Sequence, residues 1–210
     1  MIISQTTESL SRISELIAGG GVIAFRTDTF YGLGADPFNP DAVQRIRRLK
    51  GREAQQPILI LVSDRAAVES FVSEPTATFE LLAERFWPGP LTLIGQSTSL
   101  VPDEITAGTK TIGVRVPDDD KVRALVQTCG GALTATSANP SYQQPAKTAQ
   151  EVFAYFGNAI DLIVDGGTAT TDQPSTVVDV SDLRPRLIRE GAIAWAAIQT
   201  ELNRITAKRS

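Results

Sequence analysis

The longest uninterrupted aliphatic run in this chain, Ile58-Leu59-Ile60-Leu61-Val62, spans only five residues. That length suits a buried strand and falls far short of the roughly 18 residues a membrane-spanning helix needs. Similar short runs recur, so strands are expected at Val22–Phe25, Pro57–Val62, Leu91–Ile94, Ile112–Val116, Ala132–Thr136, Leu162–Val164, Thr176–Val180 and Arg186–Ile188. Segments with helical spacing lie between them. The first, residues 8–18, sets Leu10, Ile13, Leu16 and Ile17 on one face and stops at Gly19-Gly20-Gly21. A second carries Val43, Ile46 and Leu49 behind a cap at Asn39 or Asp41. Further helices are expected at Ala66–Val72, Thr78–Phe86, Lys121–Cys129, Thr148–Phe156 and Ile193–Arg204. Thr27 to Gly34 reads as a polar loop, and Trp87-Pro88-Gly89-Pro90 has to be a turn. Strands alternating with helices imply an α/β layered fold around a largely buried, mixed sheet. No repeat, low-complexity tract or Gly/Ser linker divides the 210 residues, so a single domain over 1–210 is expected.

The composition narrows the chemistry. There is no histidine, and Cys129 is the only cysteine. Ser-His and Cys-His nucleophiles, histidine-based zinc sites, thiolate clusters and intramolecular disulfides are therefore excluded. Catalysis here has to use Lys, Arg, Thr, Ser, Tyr, carboxylates and backbone. The net charge of −4 argues against a protein that grips nucleic acid through bulk charge, while leaving a local basic patch open. The N-terminus turns polar by Ser4, which does not fit a secretory signal, and a cytoplasmic location is expected.

The common nucleotide signatures are missing. No G-x-x-x-x-G-K-[ST] occurs, and Gly32-Leu33-Gly34 lacks the third glycine of the dinucleotide fingerprint. Five segments nevertheless concentrate polar residues at the ends of expected strands. Arg26 to Gly34 is either a capped turn or a hydroxyl-bearing binding loop. Lys50-Gly51-Arg52 ends a basic helix, and with Arg45 and Arg48 forms either a solvated face or a phosphate clamp. In Thr111 to Pro117, Arg115 interrupts an apolar strand and needs a carboxylate or a bound anion. Thr136-Ser137-Ala138-Asn139-Pro140 puts small polar groups after a strand, and Pro174-Ser175-Thr176 joins Arg189-Glu190-Gly191 near the end.

Taken in order, T-D-T-x-Y-G-L-G, K-G-R, F-W-P-G-P-L-T, V-R-V-P, T-S-A-N, D-G-G, S-T-V-V-D and R-x-G-A-I resemble the YrdC-like threonylcarbamoyl-AMP synthases. The resemblance runs from about Val22 to Ile193. It implies a twisted, open mixed sheet flanked by helices, without the extra C-terminal domain that some members carry. The implied reaction joins L-threonine, bicarbonate and ATP into threonylcarbamoyl-adenylate and pyrophosphate, with magnesium sharing the phosphate charge. A downstream transferase would then place the threonylcarbamoyl group on tRNA. The resemblance assigns Thr29, Arg115, Ala135 (through its main chain) and Ser175 to threonine. It assigns Lys50 and Arg52 to the phosphates as the catalytic pair, and Gln56, Thr111, Ser137, Asn139 and Arg189 to the rest of the ATP site. Tyr31 would shape the pocket wall.

Phe86 to Thr92 is expected to be structural, Cys129 a core residue, and Asp165 and Asp179 a turn cap and a strand-edge carboxylate rather than magnesium ligands. No metal ligand is assigned. Against the family pattern, Arg26 and Glu190 stand in place of prolines, Glu53 follows Arg52 without one, Gln56 replaces asparagine and Leu61 replaces a histidine. The rival readings are a paralogue without synthase activity, a non-catalytic module binding RNA, double-stranded RNA included, and a carbamoyl transferase for another acceptor. Weak direct contact with tRNA is compatible with the synthase reading.

Overall fold

The computed structural model describes residues 1–51 and 56–208, the last four through their backbone only. Ten strands form one sheet: β1 (Ile2–Ser4), β2 (Ile23–Arg26), β3 (Tyr31–Gly34), β4 (Leu59–Val62), β5 (Leu91–Gln96), β6 (Thr111–Arg115), β7 (Ala132–Ser137), β8 (Leu162–Asp165), β9 (Thr176–Asp179) and β10 (Arg186–Arg189). Their order across the sheet is β1-β8-β2-β3-β7-β4-β6-β5-β9-β10. Pairs β1–β8, β8–β2, β4–β6 and β5–β9 are parallel and the others antiparallel, so the expected open mixed sheet is what the chain forms.

Seven helices flank the sheet among the described residues: α1 (Thr7–Ala18), α2 (Pro40–Lys50), α3 (Ala77–Phe86), α4 (Asp103–Thr106), α5 (Asp120–Thr128), α6 (Ala149–Phe156) and α7 (Trp195–Lys208). Their ends follow local chemistry. Thr6 and Ser9 exchange side-chain-to-backbone bonds at the start of α1. Asn39, rather than Asp41, caps α2, with Pro40 in its first turn. Arg47, Arg48 and Lys50 then oppose the dipole of its last turn, and Gly51, at φ 60°, closes it in the left-handed conformation.

The apolar residues separate onto the two faces. Ile13 and Ile17 of α1 and Val122, Leu125 and Val126 of α5 pack on Ile23, Phe25, Leu61, Leu133 and Val164. Residues from α2, α3, α4 and α6, among them Ile46, Leu82, Ile105 and Val152, pack on the alternate strand positions, such as Ala24, Ile60 and Val114. Because strand side chains alternate, Leu61 and Ile60 serve opposite layers.

Several expectations need correction. Thr27 to Gly34 is not one loop: Tyr31–Gly34 is a fully buried strand paired with β2 and β7, and Gly34 allows the close approach of the Phe25 ring. Pro57 and Ile58 precede β4 rather than belong to it. Ala66–Ser70 forms a 3-10 turn instead of an α-helix. Strand β1 and helix α4 escape periodicity because three and four residues carry too little pattern.

Candidate active site

A cleft of about 770 Å³ opens on the face that α1 and α5 share. Strand alternation supplies its lining: Leu59 and Leu61 of β4, Thr92 and Ile94 of β5, and Ala135 and Ser137 of β7. Arg115 at the end of β6, Ser175 just before β9 and Arg189 at the end of β10 complete the inner part. The β2–β3 turn brings in Thr27, Thr29 and Tyr31, and Gln56 lies at the rim. Residues separated by more than 150 positions thus meet because β9, besides pairing with β10, lies parallel to β5.

Positive charge dominates the inner end. Arg115 is buried and lies 3.0 Å from Asp28 as a charge contact; the geometry falls short of a hydrogen bond, so both atoms keep bonding capacity. Burial lowers the pKa of Arg115 and Asp28 opposes that effect. Burial also lowers that of Arg189, and the nearby Arg115 lowers it further. Two guanidinium groups held close together in a half-dry cleft favour an anion between them. Arg189 is fixed by two bonds to the Ser175 carbonyl, at 3.1 and 3.0 Å, and one to its hydroxyl at 3.1 Å. Gly191 is required beside it, since a Cβ there would lie 2.2 Å from the Pro174 carbonyl oxygen.

Lys50 is buried below Ser137. Its ammonium donates to the Ser137 carbonyl at 2.6 Å, the Ser137 hydroxyl at 3.2 Å and the Asn139 side-chain oxygen at 3.1 Å. Asn139 in turn donates to the Pro140 and Gln143 carbonyls. The K-G and S-A-N segments therefore form one unit in which Asn139 holds the loop and Ser137 faces the cleft. Tyr31 borders the cleft, while its side chain is buried in the opposite layer with Ala24 and Leu33. Its hydroxyl lies 2.8 Å from the Gly167 carbonyl oxygen and receives the Gly166 N–H, and burial pushes its pKa up to about 12.

Of the site residues expected from sequence, Thr29, Gln56, Arg115, Ala135, Ser137, Ser175 and Arg189 line the cleft, and Lys50 and Asn139 support it. Thr111 does not: it begins β6 on the same side as Arg115 but about 13 Å further along. Its hydroxyl pairs with Thr109 at 3.0 Å. Arg52 lies outside the described residues. Arg45 pairs with Asp161 at 2.9 Å, away from the cleft lining, and Arg26 pairs with Asp119, the cap of α5. Asp165 and Asp179 satisfy neighbouring turns, through Gly167 and Ser181. Burial raises the Cys129 thiol to about 12, consistent with a core role.

Thr92 and Thr27 also belong to the cleft without having been expected as site residues. Thr92, read from sequence as part of a structural motif, is fully buried, lines the cleft and sits 3.0 Å from the Ser175 hydroxyl. A lone hydroxyl between Leu91 and Leu93 was its only signal. Thr27 lies behind Thr29 with its hydroxyl 3.0 Å away.

This fold and cleft define an α/β domain whose central cleft carries guanidinium and hydroxyl groups and neither an imidazole nor a thiolate. The Sua5/YciO/YrdC family, described as "Telomere recombination", matches residues 15–191, and the chain belongs to it. It is 36% identical over 189 residues to a threonylcarbamoyl-AMP synthase of Pyrococcus abyssi, covering 90% of this chain and 56% of that protein. A threonylcarbamoyl-AMP synthase of Thiobacillus denitrificans is 40% identical over 162 residues, 77% of this chain and 86% of the relative. The solved structure of P. abyssi Sua5 complexed with L-threonine superposes with a TM-score of 0.92 at 33% identity, covering 96% of this chain and 61% of that one. The chain therefore spans little more than half the length of the P. abyssi relative it matches.

Proposed function

We propose that this domain forms threonylcarbamoyl-adenylate from L-threonine, bicarbonate and ATP, releasing pyrophosphate, for a transferase that modifies tRNA in the cytoplasm. The observation that carries this reading is the pair of guanidinium groups, Arg115 buried and Arg189 more exposed, in a cleft that also presents the Thr29, Ser137 and Ser175 hydroxyls among apolar side chains. Arg115 accepts a carboxylate there, and the continuation past Arg189, Ser137 and Lys50 accepts phosphates. The relatives' names and the threonine-bound Sua5 support the same assignment.

In this proposal the threonine amine attacks bicarbonate, water leaves, and a carbamate oxygen displaces pyrophosphate from the α-phosphate of ATP. No side chain has to become a covalent intermediate. Thr29, Arg115, Ser175 and the Ala135 main chain hold threonine, while Ser137, Gln56 and Arg189 face ATP. Lys50 and Arg52 are assigned to the phosphates, with Asn139 in support. Alignment and preorganised charge then supply the acceleration. In this proposal magnesium enters with the ATP phosphates and shares their charge with the basic side chains.

The test is pyrophosphate release from ATP and bicarbonate, with L-threonine, with L-serine and with neither. Release that requires threonine supports the reading; ATP binding without threonine-dependent release overturns it. Arg52→Ala is expected to suppress release while leaving the thermal midpoint unchanged.

A further inference from the structure

We propose that Thr27 is a positioning residue. It commits the hydroxyl proton of Thr29, so that Thr29 meets the substrate only as a hydrogen-bond acceptor. The inference rests on the synthase reading above and concerns a residue behind the site. Each threonine hydroxyl has one proton and two lone pairs. The Thr27 hydroxyl lies 2.7 Å from the Phe30 carbonyl oxygen, which can only accept, so the Thr27 proton is there. One Thr27 lone pair receives the Thr29 N–H at 3.1 Å. The Thr29 hydroxyl is 3.0 Å from the same Thr27 oxygen. With the Thr27 proton already committed, the proton in that last bond belongs to Thr29. Both threonines are buried, at 4% and 7% exposure, so bulk water does not offer Thr29 an alternative.

The lone pairs of Thr29 are what remain to face the cleft. Other polar groups of the cleft have the opposite polarity. Arg115 and Arg189 can only donate. Thr92 and Ser175 share one mutual bond between two hydroxyl protons, and Ser175 already accepts from Arg189, which leaves one hydroxyl proton of the pair for a ligand. Donors and an acceptor presented to one cleft match an amino acid, which carries an acceptor carboxylate and donor groups elsewhere. The donor that reaches Thr29 is the α-ammonium or the side-chain hydroxyl of L-threonine.

The experiment compares Thr27→Val, Thr27→Ser, Thr29→Val and the Val/Val double variant in threonine-dependent pyrophosphate release and in calorimetric L-threonine binding. Thr27→Val keeps the shape but returns the proton to Thr29. It is expected to raise the KM for L-threonine about tenfold, as loss of one well-placed hydrogen bond does, with the KM for ATP unchanged. Thr27→Ser is expected to restore wild-type values, and the double variant to equal Thr29→Val alone. Thr27→Ala replaces Thr27→Val if the latter does not fold. Repeating the binding with L-2-aminobutyrate separates the donors: a penalty that persists identifies the ammonium, and one that vanishes identifies the hydroxyl. An unchanged threonine KM in Thr27→Val, equal losses for ATP and threonine, or additive effects in the double variant overturn the proposal. A wild-type protein that neither binds L-threonine nor turns over with it overturns the synthase reading as well, which a silent Thr27→Val in an active enzyme does not.

Discussion

Replacing Arg115 with methionine separates what the cleft does for binding from what it does for stability. Arg115 and Asp28 are 7% and 8% exposed at their side chains, and each is the other's charge partner at 3.0 Å. Removing one partner of such a buried pair costs about 3–5 kcal/mol, because the remaining charge stays desolvated. Relief of the repulsion that Arg115 exerts on Arg189 offsets part of this, which points to the lower end. For a chain of this size each kcal/mol moves the melting midpoint by about 2–4 °C, so a fall of roughly 10 °C is expected. Substrate binding suffers separately. A hydrogen bond to a charged partner contributes about 1.5–3 kcal/mol, which converts to a 10- to 150-fold rise in the KM for L-threonine. The double variant Asp28→Asn/Arg115→Met removes both charges. It should recover most of the lost melting temperature and none of the threonine affinity. Differential scanning fluorimetry and the pyrophosphate assay read the two effects. Arg115→Met melting within 2 °C of wild type, or a double variant that binds threonine normally, refutes the reasoning.

Other variants follow from the same geometry. Thr92→Val takes away the bonding partner of the Ser175 hydroxyl and is expected to raise the threonine KM about fivefold with little change for ATP, measured by the same assay. Gly191→Ala drives a methyl into the Pro174 and Ser175 backbone and should cost about 1–3 kcal/mol by urea unfolding, as overpacking does. Folding raises Tyr31 from 10 to about 12, so its contribution is intact below pH 10 and lost as pH rises towards 12. Tyr31→Phe should flatten that part of the melting-temperature profile. The Cys129 thiol, raised to about 12, should react slowly with Ellman's reagent at pH 8 in the folded chain and rapidly in guanidinium.

Periodicity located the long elements because their apolar faces repeat. Leu10, Ile13 and Ile17 show why α1 was legible, and Ile58 to Val62 why a strand was expected near β4. It could not show β3, whose Tyr31-Gly32-Leu33-Gly34 looks like a loop until β2 and β7 close on either side of it. The same limit applied to the site. Arg115 announced itself as a charge inside an apolar strand, but its partner Asp28 lies 87 positions away, joined only by the fold. Lys50 stood out in the sequence as the basic end of a helix, yet its bonds to Ser137 and Asn139 depend on α2 ending beneath β7. Thr92 was hidden because one hydroxyl in a strand reads the same whether it faces a cleft or a neighbour. Its position opposite Ser175 follows from the parallel register of Leu91 with Thr176.

The strand order has a further consequence for how this protein responds to its ligands. The inner cleft draws Thr29, Thr92, Arg115, Ser175 and Arg189 from segments that neighbour one another only once the central strands have aligned. No contiguous stretch of sequence carries a half-site that could bind while the remainder is loose. Occupancy is thus linked to the whole cooperative unit, and saturating ligand at a hundred times its Kd would add about 2.7 kcal/mol to global stability rather than to one loop. Hydrogen exchange should then slow across the sheet from β3 to β10 together.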